Sequence, residues 1–127
     1  MTPLRQLLVV SPRCCQCLRR LREASRLSSE VKSERDKWIR TGNHYCEYQS
    51  RGKDSGIRKT QAEWWTVNFY IGDRFCFNIT VKTEDLKNII NNNKFNSVPG
   101  GDNNTSWGYL VPIIKLIDCN NYIERTS

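Results

Sequence analysis

Three features of this 127-residue chain predict an α/β (α+β) fold with a mixed β-sheet of about five strands flanked by helices. Two aromatic and β-branched runs, Trp64–Ile71 and Arg74–Val81, are separated only by Gly72-Asp73, which is the pattern of a β-hairpin. Thr83-Glu84-Asp85-Leu86 then opens a helical stretch, with Thr83 as cap and acids in the first turn, where they complement the helix dipole. His44–Gln49 alternates in side-chain type, as a half-buried strand does.

Taken in order, residues 1–28 read as a divergent basic segment and residues 29–127 as a single domain. The first 29 residues, MTPLRQLLVVSPRCCQCLRRLREASRLSS, hold six arginines and one acid, Glu23. Such a start suits an organellar presequence, and it equally suits a helix over Gln16–Ser28 preceded by a loose end, because Leu18, Leu21 and Leu27 fall near one face. A short strand is expected at Glu30-Val31-Lys32, then a charged connection to Trp38, then the strand His44–Gln49. SRGKDSG is a loop by its Gly and Ser content. After the hairpin, the helix runs from Thr83 to about Asn91, a long loop spans Asn91–Thr105, and Gly108–Ile117 is a largely buried strand.

The formal charge is +7, and it is uneven: residues 1–60 carry 14 Lys plus Arg against 6 acids, residues 61–127 only 6 against 7. A basic half suggests a surface facing a polyanion, nucleic acid above all; a solvated basic surface with an Arg-rich tail has the same composition. No apolar run approaches the roughly 18 residues of a membrane span, so no membrane role is expected. Cys46, Cys76 and Cys119 stand alone in apolar stretches and read as small core residues, while the spacings of the six cysteines do not suit zinc. A reduced intracellular compartment follows, cytoplasmic or nucleoid-associated, with organellar import as the alternative.

Glu30 and Lys32 are two apart on an expected strand and therefore share a face. A carboxylate beside an ammonium can serve metal-assisted phosphodiester hydrolysis, the acid holding Mg²⁺ and the lysine positioning water or offsetting developing charge; a solvated ion pair has the same spacing. Glu47 lies in an aromatic run, HYCEY, so it either faces solvent on an edge or belongs to a site; if its strand neighbours that of Glu30 and Lys32, it approaches them. Arg51, Lys53, Ser55, Arg58, Lys59 and Thr60 surround Gly52 and Gly56 in one loop, a composition able to meet phosphate through backbone N–H groups, cations and hydroxyls. His44, Tyr45, Trp64 and Trp65 could stack bases beside it or form core.

The series EVKSERDKWIRTGNHYCEYQSRGKDSGIRKTQAEWW resembles a branch of the PD-(D/E)XK nuclease superfamily found in phage and related mobile DNA. The motifs that carry the resemblance are Glu30-Val31-Lys32, Thr41-Gly42-Asn43, Glu47-Tyr48, Gly52-Lys53, Ser55-Gly56-Ile57, Thr60, Ala62 and Trp64, with Gly100-Gly101-Asp102-Asn103 and Gly108–Pro112 later. The resemblance implies a restriction-endonuclease-like fold and Mg²⁺- or Mn²⁺-dependent cleavage of DNA or a branched DNA structure. A homodimer is compatible with it, since related enzymes often act as dimers. By the same resemblance Glu30 would be a metal ligand, Lys32 the catalytic lysine, and Glu47 a further catalytic or metal-binding acid. The superfamily's Asp on the preceding strand is missing, because no Asp occurs before Asp36. Glu23 is the remaining candidate for that place. The implied enzyme is then truncated or weakly active, and a non-catalytic DNA-binding or interaction module on the same scaffold is the alternative.

Overall fold

The computed structural model describes the backbone of residues 8–10 and the whole of residues 28–118. The class is the expected α+β, but the strands divide between two four-stranded sheets instead of gathering into one of about five. In chain order these are β1 (Leu8–Val10), β2 (Ser29–Arg35), β3 (Asn43–Ser50), β4 (Lys53–Asp54), β5 (Trp64–Ile71), β6 (Arg74–Lys82), β7 (Ser97–Gly100) and β8 (Ser106–Pro112). The helices are α1 (Lys37–Thr41), α2 (Thr83–Asn92) and α3 (Ile113–Asp118).

The first sheet has the order β1-β6-β5-β2 and is built on the hairpin the sequence announces. Ile71 pairs with Arg74 across Gly72-Asp73, and the hairpin's inner face sets Trp65, Val67 and Phe69 opposite Val81, Ile79 and Phe77. β2 lies parallel to β5, with Glu30 beside Trp65 and Glu34 beside Phe69. A parallel neighbour demands a long crossover, and the chain between β2 and β5 uses it to build α1 and most of the second sheet. That sheet is antiparallel, in the order β4-β3-β8-β7. β2 and β3 are therefore not neighbours in a sheet.

The two sheets share one core: Trp65, Val67, Phe69, Ile79 and Val81 from the first, Cys46 and Val111 from the second, with Leu86 of α2 and Leu116 of α3 closing it. Burying each of the larger apolar side chains contributes about 1.5–3 kcal/mol. Cys46 is a core residue as expected, and burial pushes its thiol up to about 12. Cys76 is only half-buried. Cys119, and the helix expected over Gln16–Ser28, lie outside the described residues apart from Ser28.

The Thr41-Gly42-Asn43 turn has a local cause. Gly42 takes a left-handed conformation (φ 70°), and its N–H closes α1 on Trp38 O at 2.8 Å. The Thr41 hydroxyl donates to Lys37 O and accepts from the Asn43 N–H, and Gly42 O accepts from Ile113 N–H at the head of α3. Three expectations need correction. Thr83 is the first residue of α2 rather than its cap: Lys82 holds that place, and the Thr83 N–H is taken by Glu63 O. The loop after α2 contains β7, paired with β8. The last strand ends at Pro112, where the chain turns helical.

Candidate functional site

β2 is patterned against the usual rule. Val31, at 56% exposure, and Arg35 face outward, whereas Glu30, Lys32 and Glu34 form the half-buried row. Period two carries the sequence's Glu30 and Lys32 onto a third member, Glu34, two residues on. A charged row turned inward persists only if each charge finds partners. Lys32 Nζ lies 3.4 Å from Glu30 Oε2 and sits 5.6 Å from the centroid of the Trp65 ring. The expectation that Glu30 and Lys32 meet is thus the geometry found.

Glu34 was not singled out by the sequence, and it joins the two sheets. Its Oε2 accepts from the Tyr45 backbone N–H and from His44 Nδ1, each at 2.7 Å. His44 is 1% exposed, and its other ring nitrogen, Nε2, accepts from the Trp65 indole N–H at 3.1 Å. An indole nitrogen can only donate, so the tautomer is fixed: Nδ1 carries the proton toward Glu34. β2, β3 and β5 are locked by this one chain of side chains.

The loop between β4 and β5 is a tight turn more than a free basic loop. Gly56–Arg58 forms a 3-10 turn on the buried side chain of Ile57, and the Thr60 N–H reaches back to Gly56 O at 2.8 Å. The Ser55 hydroxyl donates to Glu47 Oε2 at one end. At the other, the Thr60 hydroxyl donates to Glu30 Oε1 at 3.1 Å while accepting from the Ala62 N–H. Glu47 thus makes no hydrogen bond or ion pair with Glu30 or Lys32 and is tied to Glu30 only through one turn of chain. By alternation it points to the opposite face of β3 from His44 and Cys46. The two hydroxyls assigned to phosphate by the sequence reading are engaged with carboxylates.

Gly56 is what lets this turn approach β3. A Cβ there would lie 2.0 Å from Glu47 O, at a φ of +49°. Gly56→Ala is expected to cost at least about 2 kcal/mol and to displace Ser55 and Thr60. Gly52→Ala meets nothing within 4 Å and should cost only about 1 kcal/mol of left-handed strain. Chemical denaturation of the two variants checks the difference.

Arg51, Lys53, Arg58 and Lys59 are all exposed. Arg58 lies over the Tyr48 ring at 4.2 Å, and Tyr48 stacks on Tyr109 at 4.4 Å between centroids. His44, Trp64 and Trp65 are core rather than base-stacking groups. Residues 28–118 carry 13 Lys plus Arg against 11 acids, so most of the chain's basic excess lies outside the described fold.

No group of three or more His, Cys, Asp or Glu among the described residues is placed to hold a metal ion. Glu23, the further candidate ligand, lies outside those residues. Glu30 is half-buried with one edge still reached by solvent, and its hard oxygens are the donor type that Mg²⁺ takes. Such a site fits an ion completed by water and substrate phosphate, which is how Mg²⁺ is commonly held, and does not fit an all-protein cage. No helix among the described residues is long and apolar enough to cross a membrane. Compared with known protein families, with curated proteins and with solved structures, the chain gives no match.

Proposed function

We propose that the protein is a metal-dependent phosphodiester hydrolase acting on DNA, with Glu30 and Lys32 at the centre of its site. The observation that carries the reading is the inward-turned charged row of β2, in which carboxylate and ammonium stand 3.4 Å apart and the carboxylate is oriented by Thr60. A strand that exposes Val31 and half-buries Glu30, Lys32 and Glu34 reverses the pattern expected of a merely solvated ion pair.

In this reading Glu30 holds the cation, and the Lys32 ammonium faces the non-bridging phosphate oxygen on which charge grows as the bond to the leaving oxygen breaks. A bound Mg²⁺ would supply an acidified water and polarise the phosphoryl group. Ser55 and Thr60 keep the turn seated between Glu47 and Glu30. Glu47 anchors that turn through the Ser55 hydroxyl. Arg51, Lys53, Arg58 and Lys59 meet the DNA backbone.

A second reading has its own support. The lack of a three-ligand group among the described residues favours a DNA-binding module that does not cleave. The test is nicking of supercoiled plasmid and of a branched DNA with Mg²⁺ or Mn²⁺, wild type beside Lys32→Ala. Metal-dependent cleavage lost in the variant supports the hydrolase. Binding without cleavage of either substrate by either metal supports the module.

A further inference from the structure

The 3-10 turn that steadies Glu30 has a second side. Ile57 and Arg58 line a cleft of about 260 Å³, closed by Lys87, Ile90 and Asn91 of α2 and by Tyr109 of β8. Its floor is apolar and aromatic, its walls carry two cations, and no acid lines it. Arg58 is held in place there: its guanidinium lies over Tyr48, and Nη2 donates to the Tyr109 hydroxyl at 3.4 Å. Its pairing with Asp54 at 3.9 Å joins two exposed groups and contributes little. Lys87 has no ion pair among the described residues, and it is exposed. A neighbouring cleft of about 320 Å³ shares Lys87 and Thr60's side of the turn, but Glu63 and Glu84 line it, so an anion is not drawn there.

We infer that the cleft between the 3-10 turn and α2 binds one unpaired nucleotide of a DNA strand. Lys87 and Arg58 take its phosphate, the floor of Ile57, Ile90 and Tyr109 takes the base, and the Asn91 amide meets the base edge. Duplex DNA offers phosphates with its bases already stacked, so an apolar floor between two cations gains nothing from it. An unpaired base offers a π-face and a free edge. The cleft volume lies just under the roughly 300–1,000 Å³ of pockets for drug-sized ligands, which suits one nucleotide and not several. The inference rests on the DNA reading above, but not on cleavage.

The experiment is fluorescence anisotropy with a short labelled single-stranded DNA and its duplex, in EDTA so that no hydrolysis intervenes. Lys87→Ala should weaken single-strand binding about fivefold at roughly 0.1 M salt and lower the slope of log affinity against log salt by about 0.7, the loss of one phosphate contact. Lys94→Ala removes an equal charge from an exposed position outside the cleft and should change affinity far less. Asn91→Ala should weaken the single strand and leave the duplex unchanged. Equal losses in Lys87→Ala and Lys94→Ala, or equal losses on single strand and duplex, overturn the inference. Thermal melts confirm that each exposed variant is folded. Binding that depends on Lys87 in a protein that never cleaves supports the cleft and defeats the hydrolase reading. Cleavage by a protein whose strand binding ignores Lys87 does the reverse.

Discussion

Lys32→Ala is expected to lower the single-turnover rate of DNA cleavage by about 10²–10³, the usual loss when one preorganised group facing developing charge is removed. The fold should hardly notice. The Lys32–Glu30 pair is about a third exposed on both sides, so its contribution is held to about 0–1 kcal/mol by solvent. Contact of the ammonium with the Trp65 ring adds a similarly small amount. An unchanged cleavage rate in a folded Lys32→Ala protein would remove the lysine from its role, and a collapse of stability would recast it as structural. Lys32→Arg keeps the charge but changes a compact ammonium into a planar fork, and partial recovery of rate is expected.

Glu34→Ala should have the opposite profile, with the damage falling on the fold. Removing this carboxylate leaves the Tyr45 N–H and His44 Nδ1–H without an acceptor, at a place where His44 is 1% exposed and Glu34 is 15% exposed. Each orphaned buried donor costs about 1–3 kcal/mol, so a loss of about 2–6 kcal/mol is expected in urea denaturation. Glu34→Gln retains an acceptor of the same shape and should lose about 1–2 kcal/mol. Equal stability of wild type and Glu34→Ala would show that the two sheets are not joined through this residue.

The hairpin and the helix after it were legible because local rules decide them: the Trp64–Ile71 and Arg74–Lys82 strands match the sequence reading to within a residue at their ends. The Glu30–Lys32 pairing was legible for the same reason, since period two alone puts the side chains together. What failed to show was long-range. Nothing local says that β2 will pair in parallel with β5 and leave β3 to another sheet, so Glu47 could be expected beside Glu30 when the fold only links them through Ser55 and Thr60. Glu34 could have been found by extending the same alternation two residues past Lys32; its partner His44, taken alone, reads as an ordinary core histidine. Ser55 and Thr60 looked like phosphate donors because composition cannot tell a hydroxyl facing solvent from one facing a carboxylate. Tyr109 and Lys87 gave no signal, because the cleft they share exists only once α2 and β8 meet the 3-10 turn.

The most direct measurement is a calorimetric titration of wild type and Glu30→Gln with Mn²⁺, in the presence of a non-cleavable DNA strand. Saturable binding of the metal by the wild type, weakened about tenfold or more in a Glu30→Gln protein of unchanged melting temperature, is the predicted result, since the amide keeps a partner for Thr60 and loses the charge. Equal Mn²⁺ binding by both proteins, or none by the wild type, would contradict a cation held at Glu30.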